Sequence, residues 1–533
     1  MNKRKWEKLK RNPKAFFLDS KMNIFRFFTV KSVERHLLKE EKIKKTNYFN
    51  GVYCMLKPIR SDDFNFEYLV EQLQQYNVKG VYIKPLHPSL KSALCILKSD
   101  RTSFFKEFVS FLSNEGINLA YKCENNVKRP QSVQAFWQDT AHLKNFDVRL
   151  STNRVLGEQN SSFWFRLEFL EEESDFILFP TANYVSRRLW KHTIAGTDVF
   201  RKGLHDYRSV LNKPFAYQHR FDVDVVFTWV NSDDTDWQKL YAQYKPDFNS
   251  DATSTSRFYS RDELKYALRS WEKYGNFVRK IFVVSNCAPP AWLNLENPKI
   301  EWIWHEKIMP KEVLPTFSSH AIETSLFRIP GLSNYFIYSN DDFLLVRPLT
   351  VENFYYHNGI AKLRLENWGN VNGEVTEGEP DYLNGARNAN ALLEQEFGLS
   401  TTQLHTHSPQ SMRVDVLQEM YGKYGQHFDE TMSHKFRTKD DIAVTGYFYH
   451  HYALLSGRAL QSTDKTELVQ QNHPNFQKKL NNIVKLNMER KYDQLPLSVC
   501  VNDGADSHLN ETWNIEVMKF LDALFPQKST FEK

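Results

Sequence analysis

Three apolar runs between residues 223 and 342 constrain the fold of this chain more than any other feature. They are VDVVFTWV at Val223–Val230, KIFVVSN at Lys280–Asn286 and YFIYSNDD at Tyr335–Asp342. Nearly unbroken β-branched and aromatic runs mark strands buried on both faces, as in a parallel sheet. Glu301–His305 reads as a further strand. Amphipathic helices lie between them. Ser260 and Glu263 have capping-box spacing, and Leu264, Ala267, Leu268 and Trp271 share one face. Gly275 ends that helix. Leu314–Ser319 leads into a second helix with Ile322, Leu326 and Ile329 on its apolar side. Residues 221–348 therefore read β–α–β–β–α–β. That alternation predicts an α/β, Rossmann-like core with a mainly parallel, helix-covered sheet.

The ends of those strands are polar: Asn231–Asp234, Ser285–Asn286 and Asn340–Asp342. Open α/β sheets bind ligands beyond the carboxyl ends of their strands. Asp341 and Asp342 are neighbours, and like charges that close need a cation or a donor between them. They read as a site for a divalent metal and a phosphate; the plainer alternative is an acidic loop that caps the next element. Arg261, expected in the first turn of its helix, favours a diphosphate there; the alternative is an ion pair with a carboxylate such as Asp262. His320 and Glu323, three apart, form a proton relay or positioning pair, or simply a hydrogen-bonded pair on a helix surface.

The 533 residues suffice for two or three domains. Residues 1–45 form a basic segment whose Trp6 and Leu9, set among lysines and arginines, suit either an anionic membrane surface or a solvated tail. Residues 46–215 read as an α/β accessory module without a catalytic cluster, with strands at Val52–Leu56, Gly80–Ile83 and Ala93–Leu97 and a helix at Phe66–Tyr76. Residues 216–362 and 400–533 form the catalytic domain, with helical additions towards its C-terminus. Residues 363–399, rich in Gly and Asn, read as an insertion or lid. In Asp440–Tyr452 the aromatic rings read as core rather than as a sugar-holding surface, and Thr512–Leu524 as a closing amphipathic helix. A net charge of +6 gives no field that favours nucleic acid. No secretory signal or membrane-spanning run is visible. Five scattered cysteines suit a reducing compartment rather than a disulfide or zinc framework. Aromatics at 14% suit sugar-stacking surfaces and large cores alike.

Longer motifs carry a resemblance. DVVFTWVN (Asp224–Asn231) is similar to the first conserved region of the stealth family of hexose-1-phosphoryltransferases. SRDELKYALRSWEKYG, LPTFSSHAIETSL and RIPGLSNYFIYSNDD resemble its second region, HTHSPQSM and HKFRTKDD its third, and LSVCVNDGAD (Leu497–Asp506) its fourth. All stand in family order. The resemblance implies a GT-A-like catalytic core and a cytoplasmic enzyme of capsule synthesis, at the inner face of the cytoplasmic membrane and beside other synthesis and export proteins. It implies transfer of a hexosamine-1-phosphate from a UDP-N-acetylhexosamine, with N-acetylmannosamine as the sugar, to a hydroxyl of a growing capsule oligosaccharide. UMP leaves and a phosphodiester forms. Such a reaction needs a divalent cation, cations on the phosphate oxygens and a base.

On that footing Asp341 and Asp342, with Asp503, are expected to hold Mg²⁺ or Mn²⁺. Arg437 and Arg261 are expected to clamp phosphate, with Arg413 a third. His407 is the first choice of base, with His405 and His320 as alternatives. Thr228, Trp229 and Asn231 would hold the nucleotide. Asn340 and Asn502 would orient ligands, and Glu323 would support His320. Two other readings suit an Asp–Asp pair and many aromatics: a metal-dependent glycosyltransferase that forms glycosidic bonds, and a non-catalytic glycan-binding protein.

Overall fold

The computed structural model describes residues 64–84, 91–123, 126–130, 133–152, 161–196, 198–215, 219–245, 260–503 and 507–533. The basic segment 1–45 and the expected strand at Val52–Leu56 lie outside them. The chain divides into two compact units, the first ending at Gln218 and the second spanning His219–Lys533. Among the described residues no helix is long and apolar enough to cross a membrane.

The first unit is a mixed nine-stranded sheet with helices. Its Gly80–Ile83 and Ala93–Leu97 strands and its Phe66–Gln75 helix fall where the apolar spacing predicts them. The Arg101–Asn114 helix buries Phe104, Phe108 and Phe111 against Leu69, Leu73 and the sheet residues Phe165 and Leu167. These rings recur every three or four residues, so they form one stripe of the helix.

The second unit is built on a five-stranded sheet. Its spatial order is Ile300–Trp304, Ile281–Ser285, Val223–Thr228, Tyr335–Asn340 and Gln410–Arg413. The first four strands are parallel and the last is antiparallel. Every residue of Ile281–Ser285, and all of Val223–Thr228 except Thr228, is buried, as unbroken apolar runs require. The order runs third, second, first, fourth, so the chain reverses direction across the sheet between the first and fourth strands. Register places Thr228 beside Asn340 at the carboxyl edge of that reversal. This is the crevice where open α/β sheets take their ligands.

A second, three-stranded sheet completes the same edge. Phe343–Leu345 pairs antiparallel with Ser498–Asn502, which pairs in parallel with Glu467–Gln470. It brings Asn502 and Asp503 against the turn that holds Asp341 and Asp342. The closing helix Glu511–Leu524 buries Trp513, Val517, Phe520, Leu521 and Leu524, the apolar set read from its spacing. Tyr447, Phe448, Tyr449 and Tyr452 are fully buried, so the aromatic stretch after Asp440 is core.

Two local readings change. The helix read from Ser260 begins at Glu263, with Asp262 as its N-cap in the left-handed region (φ 64°). The Glu263 carboxylate turns back to accept from the Arg261 N–H (2.5 Å) and the Ser260 hydroxyl (3.2 Å), so Arg261 stands ahead of the helix rather than in its first turn. Gly275 does end this helix, at φ −118°. Its reason is crowding: a Cβ there would lie 2.6 Å from the Trp271 ring. The stretch 363–399, which reads as a flexible insertion, contains the 17-residue helix Asp381–Phe397. That helix buries Ala386, Ala389 and Leu393 in the main core. Its polar Asn and Gln faces outweigh the narrow small-residue stripe in composition and hide it.

Candidate active site

A cavity of about 830 Å³ opens at the carboxyl edge of the parallel sheet, lined wholly by the second unit. Thr228 and Asn340 enter from the two strands at the reversal, and Asp341 and Asp342 from the turn that follows. Asp342 is fixed on one side only. Its Oδ2 accepts from the Cys500 thiol (3.2 Å), whereas the buried Oδ1 has no hydrogen-bond partner. Burial and the nearby Glu263 raise the pKa of Asp341 well above the carboxylate range, with Asp342 and Asp503 adding to it. Burial lifts Asp342 to about 7 against the opposing Cys500 bond. Glu263, which the spacing assigns only to capping, is buried on the cavity wall, and burial raises its pKa too.

Against these carboxyls stands Arg261. Its Nη1 donates to Glu263 Oε1 (3.0 Å) and Asp503 Oδ2 (2.7 Å), and its Nε to Asn514 Oδ1 (2.7 Å). The expected phosphate clamp is therefore a buried structural cation. It is absent from the cavity wall because its reach is spent on partners the fold brings close. Asp503 lines the cavity, but the Trp513 indole holds its other oxygen (2.9 Å). It acts as a counter-charge to Arg261 rather than as an open ligand. Among the described residues no three His, Cys, Asp or Glu side chains are grouped to hold a metal as they stand. The oxygen donors nevertheless suit a hard cation: adjacent Asp341 and Asp342, one orphaned buried oxygen and more carboxylate than guanidinium charge.

On another wall His320 is buried at the start of the Ser319–Glu323 helix, and its Nδ1 pairs with Asp441 Oδ2 (2.9 Å). Asp441 is fully buried, and its Oδ1 pairs with His434 Nδ1 (2.6 Å). The Thr438 N–H and hydroxyl donate to it at 3.1 and 3.0 Å. Burial favours the neutral acid, but these partners outweigh it and leave Asp441 below the ordinary aspartate pKa. His320 thus pairs with a carboxylate 121 residues away rather than with Glu323. Glu323 lines the cavity and accepts from the Thr445 N–H (3.4 Å).

The other histidines are less well placed to act. His407 reaches the cavity, and desolvation is the one cause that lowers its pKa from the ordinary value. His405 is buried, stacks on His450 (4.1 Å between ring centres) and donates from Nδ1 to the Thr406 carbonyl (2.7 Å). Burial and the His450 imidazole hold its pKa well below the usual histidine range.

Arg437 lines the cavity and donates from Nε to Ser319 Oγ (3.2 Å). Arg413 does not line it: register pairs Arg413 with Tyr335, at the amino end of the parallel strands, and its guanidinium clasps Asp415 (2.9 and 2.6 Å). Thr228 exchanges a hydrogen bond with Tyr338 (2.9 Å), and Trp229 packs edge-on to Trp302 (5.5 Å); both line the cavity. Asn231 does not. Its N–H donates to Cys287 Sγ (3.2 Å) and its Oδ1 accepts from the Asp233 N–H (3.0 Å), so it shapes the turn after the strand. Asn340 and Asn502 line the cavity. Asp441 and Glu263 are the functional candidates that spacing misses. Glu366 and Trp368, which also line the cavity, lie within the stretch read as a lid.

Residues 221–248, 257–363 and 406–454 match Stealth protein conserved regions 1, 2 and 3. Leu497–Asp506 lies outside these matches. The chain is 61% identical over 543 residues to the capsular polysaccharide phosphotransferase SacB of Neisseria meningitidis serogroup A, covering 100% of this chain and 99% of that one. It is 33% identical over 400 residues to the exopolysaccharide phosphotransferase CpsY of Mycobacterium tuberculosis, covering 72% of this chain and 73% of CpsY. Among solved structures it is similar to the galactosyltransferase LgtC in complex with donor and acceptor sugar analogs. That similarity has 10% identity and a TM-score of 0.29, over 56% of this chain and 96% of LgtC, too slight to carry a statement about this chain.

Proposed function

This chain belongs to the Stealth family and is a phosphotransferase of polysaccharide synthesis, and from that premise we propose that it transfers a hexosamine-1-phosphate from a UDP-N-acetylhexosamine to a hydroxyl of a growing capsular glycan. The sugar we assign is N-acetylmannosamine. One observation carries this reading. A cavity at the sheet's reversal point is lined by two adjacent acidic side chains, Asp341 and Asp342, by Arg437 and by His320, whose Nδ1 is paired with buried Asp441.

The acceptor oxygen attacks the β-phosphorus in line with the bridging oxygen. The new bond joins acceptor oxygen to phosphorus, the phosphorus–bridge bond breaks, and UMP leaves with the bridging oxygen. Catalysis of such a step is mostly positioning and charge neutralisation. His320 takes the acceptor proton at Nε2, since Nδ1 is held by Asp441. A buried carboxylate on Nδ1 fixes the tautomer and stabilises the imidazolium, as in the Ser–His–Asp arrangement. This pairing is why His320 is preferred to His407 as the base. Arg437, aimed by Ser319, offers a planar fork to the non-bridging oxygens. Thr228, Trp229 and Asn340 border the nucleotide end. Asp341 and Asp342 would hold a divalent, oxygen-preferring cation such as Mg²⁺ or Mn²⁺, which when bound neutralises diphosphate charge.

The test is the identity of the leaving nucleotide. Purified protein given a panel of UDP-N-acetylhexosamines and a short acceptor should release UMP and yield a product with a phosphodiester signal in ³¹P NMR. EDTA should abolish turnover, and added Mg²⁺ or Mn²⁺ should restore it. Release of UDP with a glycosidic product would overturn the reading.

A further inference from the structure

Trp368 is 62% exposed, yet it lines the cavity. An indole is a large apolar surface, and leaving it in water forgoes the stabilisation that burial brings. This one is also held in place. The Glu366 N–H donates to the Leu404 carbonyl (2.9 Å), and the Asn370 and Val371 N–H groups to the Thr402 carbonyl (2.8 and 2.9 Å). Gly369 lies so close that a Cβ there would come within 2.5 Å of Thr402 Oγ1. Val371 is buried in the main core. The loop is thus sewn to the segment that leads into His405 and His407.

The ring is anchored as well. Asn370 Nδ2 donates to the Glu366 carboxylate (2.9 Å). Desolvation raises the pKa of Glu366, while hydrogen bonds from Asn370 and Trp368 oppose the rise. Tyr382, in the first turn of the Asp381–Phe397 helix, is 43% exposed and lines the same cavity.

We propose that Trp368, with Tyr382 and the Glu366 carboxylate, is the platform on which the terminal hexosamine of the acceptor glycan stacks. A pyranose presents an apolar C–H face and a rim of hydroxyls, which an aromatic plane beside a carboxylate oxygen matches. Exposure decides between donor and acceptor. Trp229, at the nucleotide end, is 8% exposed, as suits a small ligand that is enclosed. An acceptor polymer must run out into solvent, and Trp368 and Tyr382 are the exposed aromatic side chains of the lining. The assignment rests on the function proposed above for the identity of the glycan.

Its test separates the two. A short oligosaccharide of phosphodiester-linked N-acetylmannosamine is titrated without donor, by saturation-transfer NMR, against the full chain and its Trp368→Ala and Trp368→Phe variants. Acceptor and donor KM are then read from nucleotide release. Trp368→Ala should weaken oligosaccharide binding and raise the acceptor KM about tenfold, moving the donor KM by less than about twofold. Trp368→Phe should recover most of the loss. Unchanged oligosaccharide affinity in Trp368→Ala, a donor KM that rises as much as the acceptor KM, or no binding to the wild type overturns the platform. Release of UDP by a wild type that binds the oligosaccharide through Trp368 sinks the phosphotransfer reading and leaves the platform standing.

Discussion

Asp440 and Asp441 are chemically identical neighbours with opposite fates. Asp440 has a 60% exposed side chain, whereas Asp441 is fully buried between His320 and His434. Within HKFRTKDD, His434 and Thr438 both turn to Asp441, but its third partner, His320, comes from a helix more than a hundred residues earlier, which the motif does not show. Arg261 and Arg413 stay off the cavity wall because nearer carboxylates take them: Glu263 and the distant Asp503 hold Arg261, and Asp415, two residues along, holds Arg413. Asp341, Asp342 and Asn340 are legible because a strand end fixes where they point. Asn231, at another strand end, turns into its own loop. Removing the Asp441 charge tests the His–Asp pair. Asp441→Asn should fold but lose about 10³–10⁴ in kcat, the cost of a wrongly oriented imidazole. Its stability loss should be about 2 kcal/mol near neutral pH, since hydrogen bonds to a buried charged group are worth about that much. The folded-state pKa of Asp441 lies below its unfolded value. Its contribution is therefore present above the ordinary carboxylate pKa of about 3.9 and fades as pH falls through the depressed value. Urea denaturation across pH should show wild type and variant converging in acid; a gap that persists there would refute the ionic role.

The helix Asp381–Phe397 shows what an element can conceal. Its Gly385 carbonyl accepts from the Ala443 N–H (3.0 Å), and Asn388 Nδ2 donates to the Lys439 and Asp441 carbonyls (2.9 and 2.8 Å). The helix is a brace for the segment that carries Asp441. It approaches closely because Gly385 has no side chain: a Cβ there would meet Ala443 N at 3.1 Å. Periodicity finds helices by their apolar stripe. A helix that docks through Gly, Ala and Asn shows little of one, so Gly and Asn read as loop. Buried strands such as Ile281–Ser285 and the Leu264–Trp271 helix face carry strong periodic signals and are legible. Gly385→Val should overpack this contact and lower stability by about 1–3 kcal/mol. Because the strain falls on the Asp441 segment, kcat should drop at least tenfold at temperatures where the variant is fully folded, with little change in donor KM. Thermal melts and steady-state kinetics on the same sample check both numbers; a lowered Tm with unchanged kcat would make the helix a stability element only.

At the size of the whole molecule, the described residues fall into separate cores. The cluster around Val225, Trp271 and Phe448 contains only residues after position 220, and the two clusters around Phe108 and Phe179 only residues before position 212. The cavity, the three matched Stealth regions and the His320–Asp441 pair all lie in the second unit. A stretch with its own apolar core and its own short-range topology is able to fold alone. A protein beginning near position 216 should therefore melt cooperatively and bind UDP-N-acetylhexosamine with a donor KM within about threefold of the full chain, because every group assigned to the donor is retained. Its polymer length and acceptor preference are free to change. Circular dichroism melts and UMP release measure the two claims. A truncated protein that folds cooperatively but shows no donor turnover would mean that the nine-stranded first unit takes part in the chemistry, and that the cavity alone is not sufficient for it.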